Sequence, residues 1–182
     1  MENMAHDTAL VQIVVAQQNF HDDELSYLKK YFRAAGARVL VAGTEKSLMR
    51  GMSGSVVMPD NTIGGISVAA LDALVIAGGN GSPQYLWGNE LLQGKIRQAY
   101  QKGRVIGASG LSSVALAHAG ILSGRKASMY PSSTVTNEFK RYGVAYVDDP
   151  VVVSGTIVTS KGPEHIRSFV GAVQRLIVAT RA

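Results

Sequence analysis

Apolar positions along the chain fall alternately into short unbroken runs and into helical stripes. Residues 10–16, LVQIVVA, are a nearly continuous run rich in β-branched side chains, as expected of a strand buried on both faces. A polar loop over 17–23 follows, with Asp22 or Asp23 placed to cap a helix. Leu25, Leu28, Phe32 and Ala35 then recur at helical spacing until Gly36 stops them. RVLVAG (38–43) predicts a second strand, so the chain opens with a βαβ unit and its right-handed crossover. In the Gly-rich interlude beyond it, GSVVMPDNTIGGIS (54–67) predicts a small hairpin about a Pro-Asp-Asn turn. ALDALVIAGG (70–79) is a third parallel strand ending in paired glycines. Pro83 opens a short helical segment, and Leu91, Ile96, Ala99 and Tyr100 mark a longer helix before Gly103.

A fourth strand (104–108) runs straight into a helix over 111–119, which carries Leu111, Val114, Ala115 and His118 on one side. Residues 103–120 thus read as strand, tight turn and helix, a turn that in hydrolase-like sites lifts a nucleophile above the sheet end. The residue at the apex is Gly110, which has no side chain to lift. Residues 133–142 predict another helix, and VVVSGTIVTS (151–160) a hairpin turning at Ser154-Gly155. Gly162-Pro163-Glu164 starts the last helix, with Ile166, Phe169, Val170, Val173, Leu176 and Ile177 as its buried stripe. The alternation predicts an α/β fold: a flavodoxin-like, doubly wound, mostly parallel sheet with helices on both faces and a small β-hairpin excursion. One domain covers 1–182, with 1–9 a flexible N-terminus. Ligands of such sheets bind beyond the carboxyl ends of the strands, where loops 17–24, 77–83 and 108–113 must meet.

Composition narrows the chemistry. The 182 residues include no cysteine, which removes disulfides, thiolate metal sites and a cysteine nucleophile. The net charge of +5 comes from dispersed Lys and Arg with no run longer than Lys29-Lys30, so no nucleic-acid partner is expected. The first ten residues do not resemble a signal peptide, and no apolar stretch approaches the ~20 residues that cross a bilayer. A cytoplasmic protein without membrane attachment is expected. With no paired histidines at ligand spacing, neither a metal nor another cofactor is expected.

Several stretches together resemble the ThiJ/PfpI superfamily, in its branch of PfpI-type intracellular proteases with a class I glutamine-amidotransferase-like fold. FHDDEL (20–25) resembles F-x-D-x-E-L, and LVIAGG (74–79) resembles L-V-x-P-G-G. LAHAGILSGRKAS (116–128) is similar to L-A-x-A-G-x-L-x-G-R-x-x-T, while MYP (129–131) and the stretch 146–163 resemble the closing strands. The likeness runs from about residue 10 to 178, over nearly the whole chain. In that family an A-x-C-H-G-P elbow supplies a cysteine nucleophile beside a first-loop glutamate. Matched without gaps, Gly110 stands at the cysteine, Leu111 at the histidine, Ser112 at the glycine and Ser113 at the proline. Glu24 matches the first-loop glutamate, and Glu90 a glutamate that some members offer across a subunit interface. Ser160-Lys161-Gly162-Pro163-Glu164 replaces the usual S-R-x-P-x-D. The resemblance implies a homo-oligomer, dimeric or larger, and a stress-related role.

The residues present favour a non-catalytic protein that binds a small ligand or a partner. Glycine keeps a strained elbow turn without the ~1–3 kcal/mol that a residue with a Cβ incurs there. The alternative is a hydrolase, peptidase or glyoxalase-like enzyme using Glu24 with Ser109, Ser112 or a bound water, and with His21 as base if the first loop covers the elbow. Gly78 and Gly79 shape the pocket floor, where their amides could hold an anion. A flavodoxin-like nucleotide or flavin binder is a weaker third reading. Without function, Glu24 is a first-turn acid favoured by the helix dipole, Ser109 and Ser112 are caps or packing residues, and His118 is a boundary histidine.

Overall fold

The structure, a computed structural model, describes residues 8–182. The flexibility expected of residues 1–9 lies outside the described residues except at its end, where Ala9 already packs on the core. In chain order the elements are β1 (Leu10–Val14), β2 (Gln18–Phe20), α1 (Asp22–Ala34), β3 (Arg38–Gly43), β4 (Met49–Gly51), β5 (Val56–Val57), β6 (Asn61–Thr62) and β7 (Ala73–Ile76). A wide turn, Pro83–Trp87, precedes α2 (Glu90–Gln101); β8 (Val105–Ser109) then passes through the tight turn Gly110–Ser112 into α3 (Ser113–His118). Next come β9 (Lys126–Ala127), α4 (Ser133–Arg141), β10 (Ala145–Tyr146), β11 (Val151–Ser154), β12 (Ile157–Ser160) and α5 (Ile166–Arg181).

Seven strands form the main sheet in the order β11-β12-β8-β7-β1-β3-β6, parallel throughout except for β11 against β12. Strand periodicity divides the apolar runs between two layers. Val11, Ile13, Ala73 and Val75 face α1 and α5 with Leu28, Phe32, Phe169 and Val173. Val14, Leu74 and Ile76 face the opposite layer with Leu92, Ile96, Val114 and Phe139. That two-sided burial is why β1 and β7 read as unbroken apolar runs rather than alternating ones. The one polar residue inside β1, Gln12, is buried and exchanges side-chain hydrogen bonds with Asn61 at 3.1 Å each way, which holds β6 to the sheet. Among the described residues no helix is long and apolar enough to cross a membrane.

Several local expectations are corrected. The hairpin of the excursion is β4–β5, with Met49 opposite Val57, and does not turn at Pro-Asp-Asn. Instead, the Asp60 carboxylate accepts from the Val41 amide and the Asp60 amide donates to the Val41 carbonyl, both at 2.8 Å, directing β6 alongside β3. The loop 17–23 contains β2, which pairs with β4. The cap of α1 is His21, not Asp22 or Asp23. Asp22 accepts from the amides of Ser53 (2.8 Å) and Ser55 (2.9 Å) and from the Ser55 hydroxyl, clamping the hairpin to the helix. Leu91 is 64% exposed, because Asn89 caps α2 and turns Leu92 inward in its place. The β11–β12 turn is Gly155-Thr156, one residue later than expected, since Ser154 pairs with Ile157. The helix expected over 111–119 becomes regular only at Ser113. The short parallel pair β9–β10 has no counterpart in the apolar pattern.

The loop after β7 cannot exchange Gly79 or Gly81, and Gly79 combines the crowding with a left-handed backbone. Its φ is +134°, and a Cβ would stand 2.5 Å from the Asn19 carbonyl oxygen and 2.6 Å from the His21 amide nitrogen. Gly79→Ala is expected to destabilise the fold by upwards of about 3 kcal/mol in urea titration, from overpacking and backbone strain together. Gly94→Ala, in α2 with nothing within 4 Å, should instead stabilise by about 0.5–1 kcal/mol.

Candidate functional site

The three loops expected to meet at the carboxyl ends of the strands do so through hydrogen bonds. The His21 amide donates to the Gly78 carbonyl at 3.0 Å, and the Gly81 amide to the Asn19 carbonyl at 3.0 Å. His21 Nδ1 accepts from the Glu24 amide at 3.3 Å, starting α1 with Glu24 in its first turn. Glu24 then points inward, and its Oε1 accepts from the Gly78 amide at 2.7 Å. On the other side, Ser112 Oγ donates to the Ala77 carbonyl (2.6 Å) and lies 2.7 Å from Ser82 Oγ. Trp87 Nε1 donates to the Leu111 carbonyl at 2.7 Å, fixing the turn from outside.

Glu24 is 1% exposed, and its Oε2 has no hydrogen-bond partner. Burial pushes its carboxyl pKa up to about 7; the Gly78 amide and the Ser109 hydroxyl oppose the shift, and the Glu164 carboxylate adds to it. At neutral pH this group is therefore divided between acid and carboxylate, able to donate or accept one proton. Beside it, Gly110 has φ +58°, the left-handed backbone that disfavours a side chain. Space is not the obstacle: a Cβ on Gly110 would meet only the Lys161 carbonyl oxygen at 3.6 Å and Gly162 Cα at 4.0 Å.

That space belongs to a cavity of about 420 Å³ lined by His21, Glu24, Gly78, Gly79, Gly110 and Leu111, with Tyr130, Lys161 and Glu164 toward its mouth. Of the residues expected here, Ser109 and Ser112 do not line it. Both are fully buried; Ser109 Oγ accepts from Ser160 Oγ at 3.0 Å, and Ser112 is committed to Ala77. The Ser109 hydroxyl is turned to the Glu24 carboxyl. Glu90 is exposed at the start of α2, outside the cavity. His118 lies on the far side of α3, where its Nε2 is 2.6 Å from Glu138 Oε2 and its ring packs on Tyr142. Met52, Asn80 and Tyr130 line the cavity although their functional placement was not anticipated. Met52 lies in the aperiodic interlude, where no pattern could place it, whereas the MYP stretch already marked Tyr130. Among the described residues no group of three or more His, Asp or Glu is arranged to hold a metal ion.

Comparison with known proteins gives one consistent result. Residues 9–175 match the DJ-1/PfpI family. An uncharacterized protein of Methanocaldococcus jannaschii is 39% identical over 168 residues, spanning 92% of this chain and 81% of that one. A deglycase of Pyrococcus horikoshii is 28% identical over 165 residues, 91% of this chain and 98% of its own. Among solved structures, a ThiJ/PfpI domain protein from Brachyspira murdochii superposes with a TM-score of 0.89 at 27% identity, covering 94% of this chain and 98% of that one.

The raised pKa of Glu24 makes stability depend on pH. The folded chain holds this proton more tightly than the unfolded chain, so the contribution is full below the ordinary value of 4.5 and is lost as pH rises through about 7. Glu24→Gln keeps an acceptor for Gly78 and has no such slope. Its stability relative to wild type should improve by about 2–3 kcal/mol between about pH 5 and pH 8 in paired urea titrations. Parallel curves for the two proteins would show that Glu24 titrates normally.

Proposed function

The chain belongs to the DJ-1/PfpI family, and we propose that this member binds a small ligand at the Glu24 cavity without covalent catalysis. Gly110 carries the reading. The apex of the strand-to-helix turn keeps a left-handed backbone and open space, yet offers no nucleophilic atom, and the chain contains no cysteine to serve in its place. Of the buried serines on either side, Ser112 is tied to the Ala77 carbonyl and Ser109 is engaged with Ser160 and the Glu24 carboxyl, and neither lines the cavity, which supports the same reading. What the cavity does offer is the free oxygen of Glu24, a group able to donate to a ligand carbonyl or to accept from an amine. A volume of about 420 Å³ suits a small molecule rather than a polymer.

A second reading has one observation in its favour. A carboxyl with a pKa of about 7 suits general acid–base chemistry on a bound water, and the Pyrococcus horikoshii relative is named a deglycase. The two readings part on turnover. Wild-type protein is expected to leave 2-oxoaldehydes and peptides unchanged, while the single tryptophan, tied through Trp87 to the elbow, responds in fluorescence when a ligand enters. Gly110→Cys with Leu111→His should gain measurable turnover, at a stability cost of about 1–2 kcal/mol for a Cβ in the left-handed region. Wild-type turnover that disappears in Glu24→Ala would establish the second reading instead.

Self-association is part of the proposal. Leu48, Met52, Val56 and Met58, all 43–56% exposed, crowd the β4–β5 excursion beside the cavity mouth, and we assign the contact between copies to this patch. Sedimentation velocity should show an oligomer that Met58→Glu with Val56→Glu dissociates. A monomeric wild-type protein would refute the assignment.

A further inference from the structure

We propose that the ligand of the Glu24 cavity is an organic amine, held as its ammonium ion between Glu24 and Glu164; this rests on the cavity being a non-covalent ligand site. The chain carries a net charge of +5, yet the cavity lining holds two carboxyls, Glu24 and Glu164, and one lysine or arginine, Lys161. That lysine is already committed. Its Nζ is 2.5 Å from Asp148 Oδ1, which also accepts from the Tyr146 hydroxyl at 2.8 Å. Asp149 lies close enough to Lys161 to strengthen the hold on its proton. A basic protein thus keeps an acidic cavity.

Oxygens border the space at the Gly110 apex. Glu24 Oε2 is buried and has no hydrogen-bond partner. The Lys161 carbonyl oxygen would lie 3.6 Å from a Cβ on Gly110, so it faces the room that a larger apex residue would fill. Gly162 Cα would lie 4.0 Å from the same Cβ, and the Glu164 carboxylate folds back over Gly162, with Oε2 2.9 Å from where a Cβ would stand there. An ammonium has three N–H donors and no acceptor, which suits a lining that presents three such oxygens. A carboxylate or phosphate would meet two like charges instead. An inorganic cation is a poorer match, because no group of three or more His, Asp or Glu gathers among the described residues. The lining also supplies Leu111, Pro163 and the ring of Tyr130, apolar surface for an organic body and a ring that attracts cations.

Ionisation of Glu24 controls such a site. Its carboxyl titrates at about 7 because burial outweighs the Gly78 amide and the Ser109 hydroxyl, while the Glu164 carboxylate pushes it the same way as burial. The other charged or titratable groups around it come from two segments. His21, at the start of α1, accepts from the Glu24 amide through Nδ1. From the segment before α5, Lys161 is paired with Asp148, and His165 Nε2 is 3.4 Å from Glu164 Oε1, an ion pair that holds only while the imidazole is protonated. Raising the pH therefore ionises Glu24 and releases Glu164, and both changes favour a bound cation.

Isothermal titration calorimetry of the full chain with benzylamine tests the assignment, with benzyl alcohol and benzoate as controls of like shape. At about pH 8 benzylamine should bind at least about 10-fold more tightly than either control. Its affinity should rise about 10-fold between about pH 6 and pH 8, following the ionised fraction of a group that titrates near 7. Glu24→Gln should flatten that rise to within about 2-fold. Glu164→Gln, at the more exposed mouth, should weaken binding about 3-fold, and Glu45→Gln, the same charge change outside the lining, should stay within about 2-fold of wild type. Benzyl alcohol or benzoate binding as tightly as benzylamine would overturn the amine assignment and leave the small-ligand reading standing. Benzylamine affinity unchanged in both Glu24→Gln and Glu164→Gln would overturn it as well. No saturable heat with any of the three compounds would overturn the assignment together with the reading beneath it.

Discussion

The hydrogen bond from the Gly78 amide to Glu24 Oε1 is the contact on which the upper end of the molecule depends. It joins the first turn of α1 to the loop after β7, and so ties together two parts of the chain that share no regular pairing there. Making it requires a carboxyl to be taken out of water with only one of its oxygens satisfied. The raised affinity for a proton is the direct result of that placement. Structure and reactivity are thus one arrangement: the bond that closes the loop onto the helix also keeps a titratable group poised at the cavity.

Around it, the parallel sheet does what its topology dictates. The adjacent strands β1, β7 and β8 end at nearly the same level, and β7 and β8 hand over to small residues, Ala77-Gly78-Gly79 and Gly110. Gly79 lets the β7 loop approach the β2 backbone, and Gly110 lets β8 turn abruptly into α3. The serines close gaps behind the cavity with hydrogen bonds, and Glu24 is left as the buried carboxyl of its lining.

Much of this was legible in the residues. The two-sided burial of β1 and β7 shows as unbroken apolar runs, and the loop convergence follows from βαβ order alone, so Glu24, His21, Gly78, Gly79, Gly110 and Leu111 could all be placed at one end. Interactions decided by partners distant in sequence could not be read. Asp22 looks like a helix cap until the hairpin amides of Ser53 and Ser55 are seen to claim it. Leu91 and Leu92 are equivalent apolar neighbours until Asn89 fixes where the helix begins. Asp60 suggests a reversing turn, yet its carboxylate is taken by Val41 on the neighbouring strand. Ser109 and Ser112 are chemically fit to be nucleophiles, and only three-dimensional packing shows Ser112 tied to the Ala77 carbonyl and Ser109 set between Ser160 and Glu24, outside the cavity lining.

The two margins of the sheet bear on how the protein behaves when concentrated. At one edge β6 presents two residues; at the other β11 presents four, between Pro150 and Gly155, and runs antiparallel to its neighbour. Neither offers the long, flat row of free amides and carbonyls on which another chain can template itself. The margins of the main sheet are therefore short, although its interior is built from the aliphatic runs most prone to strand addition. An assembly built from side chains can be taken apart again by changing them.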